Sequence, residues 1–322
     1  MTSGAPPDVV ALAEQRAVAR TERDFTAADR LRDEIAAAGW VVTDTADGFA
    51  LKPKPPYDVL ASLGGLPDNT SAADSRRATV SLVVDGWPDD VRTCVSALLE
   101  QTPPDVVVQA LDLGDVDGAG AALHEFAGDR VEEWHVDATP AWRDGSVGWG
   151  QARIALLRAD VATVHVWCDL STVFTGDALT PLLDAIGDDR DVVAAGWRGA
   201  DVDVDDEWRS VRDAGPGEVD VLLGYLLAMR RDTALAAGGP HAKARFYRNA
   251  DLEFSLALRE AARAAGSAGR LVALGDALPC RQDHHRGYHD SDPDYRDKES
   301  LKTYNRLLQR FRGRSDLLHL TR

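Results

Sequence analysis

Ala78-Thr79-Val80-Ser81-Leu82-Val83-Val84-Asp85-Gly86-Trp87-Pro88 decides the fold of this chain. Val80 to Val84 is a short β-branched run, which favours a strand. Asp85-Gly86-Trp87-Pro88 breaks it, and Asp90 to Gln101 then reads as a helix. The alternation repeats downstream. Val106–Leu111 reads as a strand and Ala119–Phe126 as a helix, followed by strand Val131–Val136, helix Gln151–Ala159, strand Thr163–Trp167, helix Leu179–Ile186 and strand Asp191–Trp197. Strands alternating with helices at this spacing predict an α/β fold, a mostly parallel mixed sheet flanked by helices and joined by right-handed crossovers.

Upstream the pattern differs. Residues 9–38 read as two helices, with Leu12, Ala13, Ala17 and Arg20 as a loose stripe and Phe25, Ala28, Leu31 and Ile35 as a clearer one. Asp24 or Thr26 caps the second helix and Gly39 ends it. Trp40-Val41-Val42 and Phe49-Ala50-Leu51 predict a short β-hairpin around Ala46-Asp47-Gly48. The expected organisation is a helical hairpin module with that β-hairpin at 1–56, a linker or loosely packed strap at 57–77, the α/β domain at 78–290 and a terminal helix at 291–322. That helix has Tyr304, Leu307, Leu308 and Phe311 as its apolar face, expected to dock on the domain. Asp201 to Glu207 reads as a solvated loop and a candidate lid.

Composition narrows the class. The chain has 322 residues, 44% of them apolar, enough for a large core. Its net charge of −17 argues against broad electrostatic binding to nucleic acid or anionic membranes. Three scattered cysteines, Cys94, Cys168 and Cys280, point to reduced thiols and a cytoplasmic location. The N-terminus lacks the basic start and apolar run of a signal peptide. No stretch approaches the ~20 apolar residues that membrane insertion needs.

The chemistry centres on Phe246-Tyr247-Arg248-Asn249-Ala250-Asp251-Leu252-Glu253-Phe254. Asp251 and Glu253 fall where a basic-aromatic run gives way to an apolar helix. A carboxylate at a helix start is held ionised by free N–H groups and the helix dipole, a reasonable place for a general base. Upstream stands Gly224-Tyr225-Leu226-Leu227-Ala228-Met229-Arg230-Arg231. This succession resembles the acceptor-side half of family 2 glycosyltransferases, which have the glycosyltransferase A-type fold.

The resemblance implies inverting transfer from a nucleoside-diphosphate sugar to a hydroxyl acceptor. Asp251 falls on the family's catalytic base and Glu253 on a second carboxylate; Ala250 replaces the first acidic residue of that element. On the donor side, Asp85 and Trp87 occupy the nucleobase turn. In Asp112-Leu113-Gly114-Asp115-Val116-Asp117-Gly118, Asp112 falls on the position that accepts from the base, and Asp117 joins the nucleotide-binding set. Arg153 belongs to a helix that matches in part, with Ile154 for the family's asparagine. Gly224 lies under the donor sugar, and Arg248 adds a cation. The metal motif implies Mg²⁺ or Mn²⁺ on Asp169, but Ser171, a weak ligand, stands in place of the second carboxylate. His284 and His285, in the run Cys280 to His289, could compensate by binding metal or diphosphate.

A second resemblance covers the first unit. Arg23-Asp24-Phe25-Thr26-Ala27-Ala28-Asp29-Arg30-Leu31-Arg32-Asp33-Glu34-Ile35, then Gly39-Trp40-Val41-Val42 and Asp44-Thr45-Ala46-Asp47-Gly48, looks like the C-terminal tail of cysteinyl-tRNA synthetases. No synthetase catalytic signature accompanies it. The segment reads as a reused packing module, and self-association through it or through the terminal helix is expected. Two alternatives stay open beside the transferase: a nucleotide-sugar-binding protein without turnover, favoured by Ser171, Ile154 and Ala250, and a tRNA- or RNA-associated accessory protein.

Overall fold

The computed structural model describes residues 4–45, 48–143, 145–284 and 286–319. Ala46 and Asp47 of the expected turn, and His285, lie outside the described residues. The chain forms two compact units, Met1–Asp58 and Val59–Arg322.

In the first unit, α1 (Pro7–Thr21) and α2 (Phe25–Ala37) precede the antiparallel pair β1 (Trp40–Thr45) and β2 (Gly48–Pro53). The Asp24 side chain caps α2 by accepting from the Ala27 N–H at 3.0 Å. Val9, Ala13, Ile35, Val42 and Leu51 make the core. The buried stripe of α1 is Val9, Ala13, Arg16 and Ala19, turned slightly from the expected one. Arg16 is buried because its guanidinium reaches Asp44 at 2.7 Å, which also holds that carboxyl below its ordinary range. Phe25 is 60% exposed rather than on the core stripe. It opens α2, where a side chain tilts back off the end of the helix.

The second unit opens with β3 (Val59–Leu60). Then come β4 (Arg76–Val84), α3 (Pro88–Gln101), β5 (Val107–Leu113), α4 (Ala119–His124), β6 (Val131–Val136), α5 (Trp149–Ala159) and β7 (Ala162–Cys168). After β8 (Thr172–Phe174), α6 (Leu179–Ile186) and β9 (Val192–Gly196) the chain forms β10 (Gly199–Val202), β11 (Val211–Ala214), β12 (Gly217–Glu218) and β13 (Val221–Leu222). It closes with β14 (Leu226–Arg230), α7 (Arg231–Ala236), α8 (Ala250–Ala264), β15 (Arg270–Ala273), β16 (Cys280–Gln282) and α9 (Pro293–Phe311).

Among the described residues, nine strands make one sheet in the order β12-β15-β9-β14-β7-β4-β5-β6-β3. The run β7-β4-β5-β6-β3 is parallel, and β14 runs antiparallel between β7 and β9. Both faces of β4 are covered: Ala78, Val80, Leu82 and Val84 are fully buried on one, and Thr79 and Ser81 on the other. Of residues 57–77, expected as a linker or loosely packed strap, the first two belong to the first unit and Arg76 and Arg77 already open β4. Val59–Leu60 adds an edge strand beside β6, and the Asn69 side chain donates to the Ala159 carbonyl at 2.7 Å.

Helix α8 is buried on two sides. Phe254 and Leu258 meet the sheet core, while Leu256 and Ala257 pack with Leu307 and Phe311 of α9. The apolar face of α9, with Leu307 and Phe311, is therefore packed within the chain. The loop expected over Asp201 to Glu207 is partly strand, since Asp201 and Val202 end β10, and it is anchored by the buried Trp208. No helix among the described residues is long and apolar enough to cross a membrane.

Candidate functional site

A cleft opens at the carboxyl ends of β4 and β7, where open α/β sheets place their ligands. Asp85, Trp87, Arg153, Asp169, Ser171 and His284 all line it. Asp85 directly follows β4 and Asp169 directly follows β7, so paired parallel strands deliver two carboxylates to one floor. Arg153, on the second turn of α5, supplies the countercharge. Its guanidinium is buried and donates to the carbonyls of Ser81 and Cys168, each at 2.9 Å. Desolvation draws it down to about 10, against the pull of Asp169, so it stays charged.

Two carboxylates share that one cation. Asp85 is deep at the floor, and burial together with the charge of Asp169 pushes it up to about 7. Asp169 accepts from the Ser171 N–H at 2.9 Å and from the Ser171 hydroxyl at 2.5 Å. Ser171 is thus a hydrogen-bond partner of the carboxylate it follows.

Asp251 is not among the residues lining the cleft; it stands in the first turn of α8, just after Tyr247 of the lining. It is 6% exposed, and its Oδ2 accepts from the Gly224 N–H at 3.0 Å. A Cβ at position 224 would lie 3.3 Å from Asp251 Cβ, so the glycine permits this close approach. Burial lifts the Asp251 carboxyl to about 6, with backbone N–H groups and the charge of Arg248 opposing the rise. Tyr225 and Tyr247, with ring centroids 6.4 Å apart, feel the charges of both Asp169 and Asp251. Tyr247 lines the cleft, and its carbonyl accepts from the Asp251 N–H at 3.3 Å. Tyr288, 5.3 Å from Tyr247, continues the aromatic lining.

Several expected site residues are elsewhere. Glu253 is held by Arg306 of α9 through bonds of 2.6 to 3.0 Å. Two residues along a helix turn the side chain about 200°, so Asp251 and Glu253 cannot share a face. Asp112 pairs with His135 at 3.1 Å on the far face of its strand, and Leu113 takes the place on the cleft wall. Alternation along β5 separates these neighbours. Asp117 is exposed and pairs with Arg143 at 3.2 Å. Arg248 lines a separate cavity with Trp208 and Tyr304. Trp87 reaches the cleft, but its ring lies 4.6 Å from Trp142, which covers one side.

The cleft also contains Trp142 and Arg245, which sequence reasoning did not place in the site, and Arg286 of the run Cys280 to His289 that it did single out. Trp142 Nε1 donates to the Asp85 carbonyl at 2.9 Å, fixing the turn after β4. Arg245 belongs to the basic-aromatic run before Asp251, which was the available signal.

The donors suit a hard divalent cation only in part. Asp169 offers a carboxylate and His284 an imidazole at the exposed rim. Among the described residues no three ligand atoms converge in this cleft. The set fits an ion of the Mg²⁺ or Mn²⁺ kind that takes one or two protein ligands and completes its shell with substrate phosphates.

Comparison with known proteins separates the two units. The cysteinyl-tRNA ligase anticodon binding domain matches residues 2–49. Cysteine–tRNA ligase from Opitutus terrae is 54% identical over 48 residues, 15% of this chain and 10% of that protein. The Kocuria rhizophila enzyme is 64% identical over 36 residues, 11% and 8%. The chain thus spans about a tenth of the curated relatives it matches. Among solved structures, GalNAc-T7 with UDP, GalNAc and Mn²⁺ superposes with a TM-score of 0.54 at 14% identity, over 84% of this chain and 51% of that one. The mannosyltransferase PcManGT from Pyrobaculum calidifontis, in complex with GDP-Man and Mn²⁺, gives 0.48 at 16% identity, over 80% and 79%. The chain joins a segment similar to the cysteinyl-tRNA ligase anticodon binding domain to a unit with the glycosyltransferase A-type fold.

Proposed function

We propose that the second unit transfers a sugar from a nucleoside-diphosphate sugar to a hydroxyl acceptor with inversion. The observation that carries this reading is the placement of Asp251. A buried carboxyl with a pKa of about 6 follows Tyr247, a residue that lines the same cleft as Arg153 and Asp169. Such a group is ionised at neutral pH yet basic enough to take a proton. In the proposed reaction Asp251 accepts the acceptor's hydroxyl proton as that oxygen bonds the anomeric carbon. The bond from that carbon to the diphosphate oxygen breaks on the opposite side, and nucleoside diphosphate leaves.

The floor orients the donor. Arg153, already bonded to two carbonyls, sets the local charge balance, and Arg245 and Arg286 at the cleft wall suit the diphosphate. A divalent ion, when bound, neutralises the leaving diphosphate, and Asp169 and His284 are the residues that would hold it. Trp87 and Trp142 offer an aromatic face for the nucleobase.

Ser171 in place of a carboxylate and the turning away of Asp112 favour a second reading, nucleotide-sugar binding without turnover. Calorimetry with UDP and with GDP, each with and without Mn²⁺, tests what both readings share; no nucleotide binding rejects both. Release of nucleoside diphosphate from the bound sugar nucleotide, lost in Asp251→Asn, separates transfer from binding alone. RNA association is tested by tRNA binding at physiological salt before and after deletion of residues 1–56.

A further inference from the structure

Apart from the cleft, the outer part of the sheet carries another group of ligand-bearing side chains. Glu133 and His135 are two apart on β6, so strand alternation sets both on one face. His124, the last residue of α4, meets them there. His124 Nδ1 lies 2.5 Å from Glu133 Oε1, and His135 Nε2 lies 3.4 Å from Glu133 Oε2. One ligand atom from each of the three residues falls within 4.8 Å of the other two. Behind them, Asp112 stands opposite His135 in the register of β5 and β6, with its Oδ2 3.1 Å from His135 Nδ1. Gly120 makes the room, since a Cβ there would come within 2.5 Å of that carboxylate oxygen.

The arrangement has a chemical logic. A neutral imidazole has one N–H. When His135 donates it from Nδ1 to Asp112, the lone pair on Nε2 faces a carboxylate oxygen of Glu133. A cation between them would take both as ligands. In a tetrahedral Zn²⁺ site with ligands ~2.0–2.1 Å from the metal, ligand atoms stand about 3.4 Å apart. The Glu133–His135 separation already has that value. His124 is one-third exposed at the end of a six-residue helix, so it can draw back to the same spacing and leave a fourth position to water. An imidazole whose second nitrogen is held by a carboxylate is a common outer-shell device in metal sites. Two imidazoles with one carboxylate suit Zn²⁺ better than Mg²⁺.

We infer that His124, Glu133 and His135 form a Zn²⁺-type site that ties α4 to β6, with Asp112 orienting His135. The inference is independent of glycosyl transfer.

The test uses the full chain, stripped with chelator and titrated with Zn²⁺ and with Co²⁺. One ion per chain, a raised melting temperature and the absorption of four-coordinate Co²⁺ are expected. His135→Ala should abolish binding. The partly exposed His124→Ala, a milder change to the fold, should weaken it more than tenfold. Asp112→Asn should weaken it by roughly 10–100-fold. Asp169→Asn should leave it unchanged, which separates this site from the cleft. Absence of Zn²⁺ and Co²⁺ binding overturns the proposal. So does binding that survives both histidine variants, or that is lost in Asp169→Asn.

Discussion

On the floor of the cleft, Asp85 and Asp169 share the buried guanidinium of Arg153, whereas Asp251, at the start of α8, is held by backbone N–H groups, with Arg248 acting only through its charge. The difference is one of compensation. A floor with one fixed cation among two carboxylates has a set charge balance, which under the proposed reaction would meet an anionic donor. A carboxyl surrounded by neutral donors has its burial largely uncompensated and stays basic. Asp251 and Glu253 repeat the contrast over a single helical turn. Among the described residues the first has no hydrogen-bonded cation, and the second is locked by Arg306.

The contrast breaks most visibly at Asp251. Asp251→Asn should lower the transfer rate roughly 10²–10⁴-fold while nucleotide affinity holds. In the native protein the rate should fall as pH drops below about 6, where Asp251 takes up its proton. A variant that keeps the native rate and pH limb assigns the base elsewhere.

Next in size is Arg153→Met, which strands two carboxylates near the floor. Urea unfolding at pH 8 should show a loss of about 3–5 kcal/mol. The loss should shrink at pH 5, because Asp85, with its pKa raised to about 7, is then protonated. An equal loss at both pH values would show that packing, not charge, is what Arg153 supplies.

Glu253→Gln separates the two helix carboxylates. It should cost about 1–3 kcal/mol of stability by leaving Arg306 without its charged partner, with transfer at the native rate. A lost rate at intact stability would return Glu253 to the site.

The smallest effect is expected from Asp85→Asn. A folded-state pKa raised to about 7 means that stability present below the unfolded value of about 3.8 is lost as pH rises through 7. The neutral variant escapes that loss. It should be more stable than the native chain at pH 8, by on the order of 1 kcal/mol in an open cleft, and equal to it near pH 4. Thermal melts at both pH values check the sign.

The two units were legible in different ways. The first could be read in its letters, because Asp24, Gly39 and the apolar stripe of α2 are local signals that act within a few residues. The second could be read in its rhythm, since β-branched runs alternating with amphipathic stretches carry the α/β layering. Asp85, Asp169 and Asp251 drew notice in the sequence because each sits where an element starts or ends, and the first two line the cleft. Glu253, Asp112 and Asp117 were grouped with the site by nearness along the chain. A helix turns 100° per residue and a strand alternates faces, so nearness in sequence does not put side chains on one surface. The antiparallel course of β14 was equally hidden, because a buried apolar strand has the same composition in either direction.

By itself the sequence determined the two units, the order of their elements and the carboxylates placed at element ends, because propensity, capping and apolar periodicity are local. Only the tertiary structure decided which carboxylates share a cation, which one stays basic and which are tied up by arginine or histidine. Those outcomes depend on burial and on charges contributed by residues far apart in the chain, as Arg153 is from Asp85 and Arg306 from Glu253.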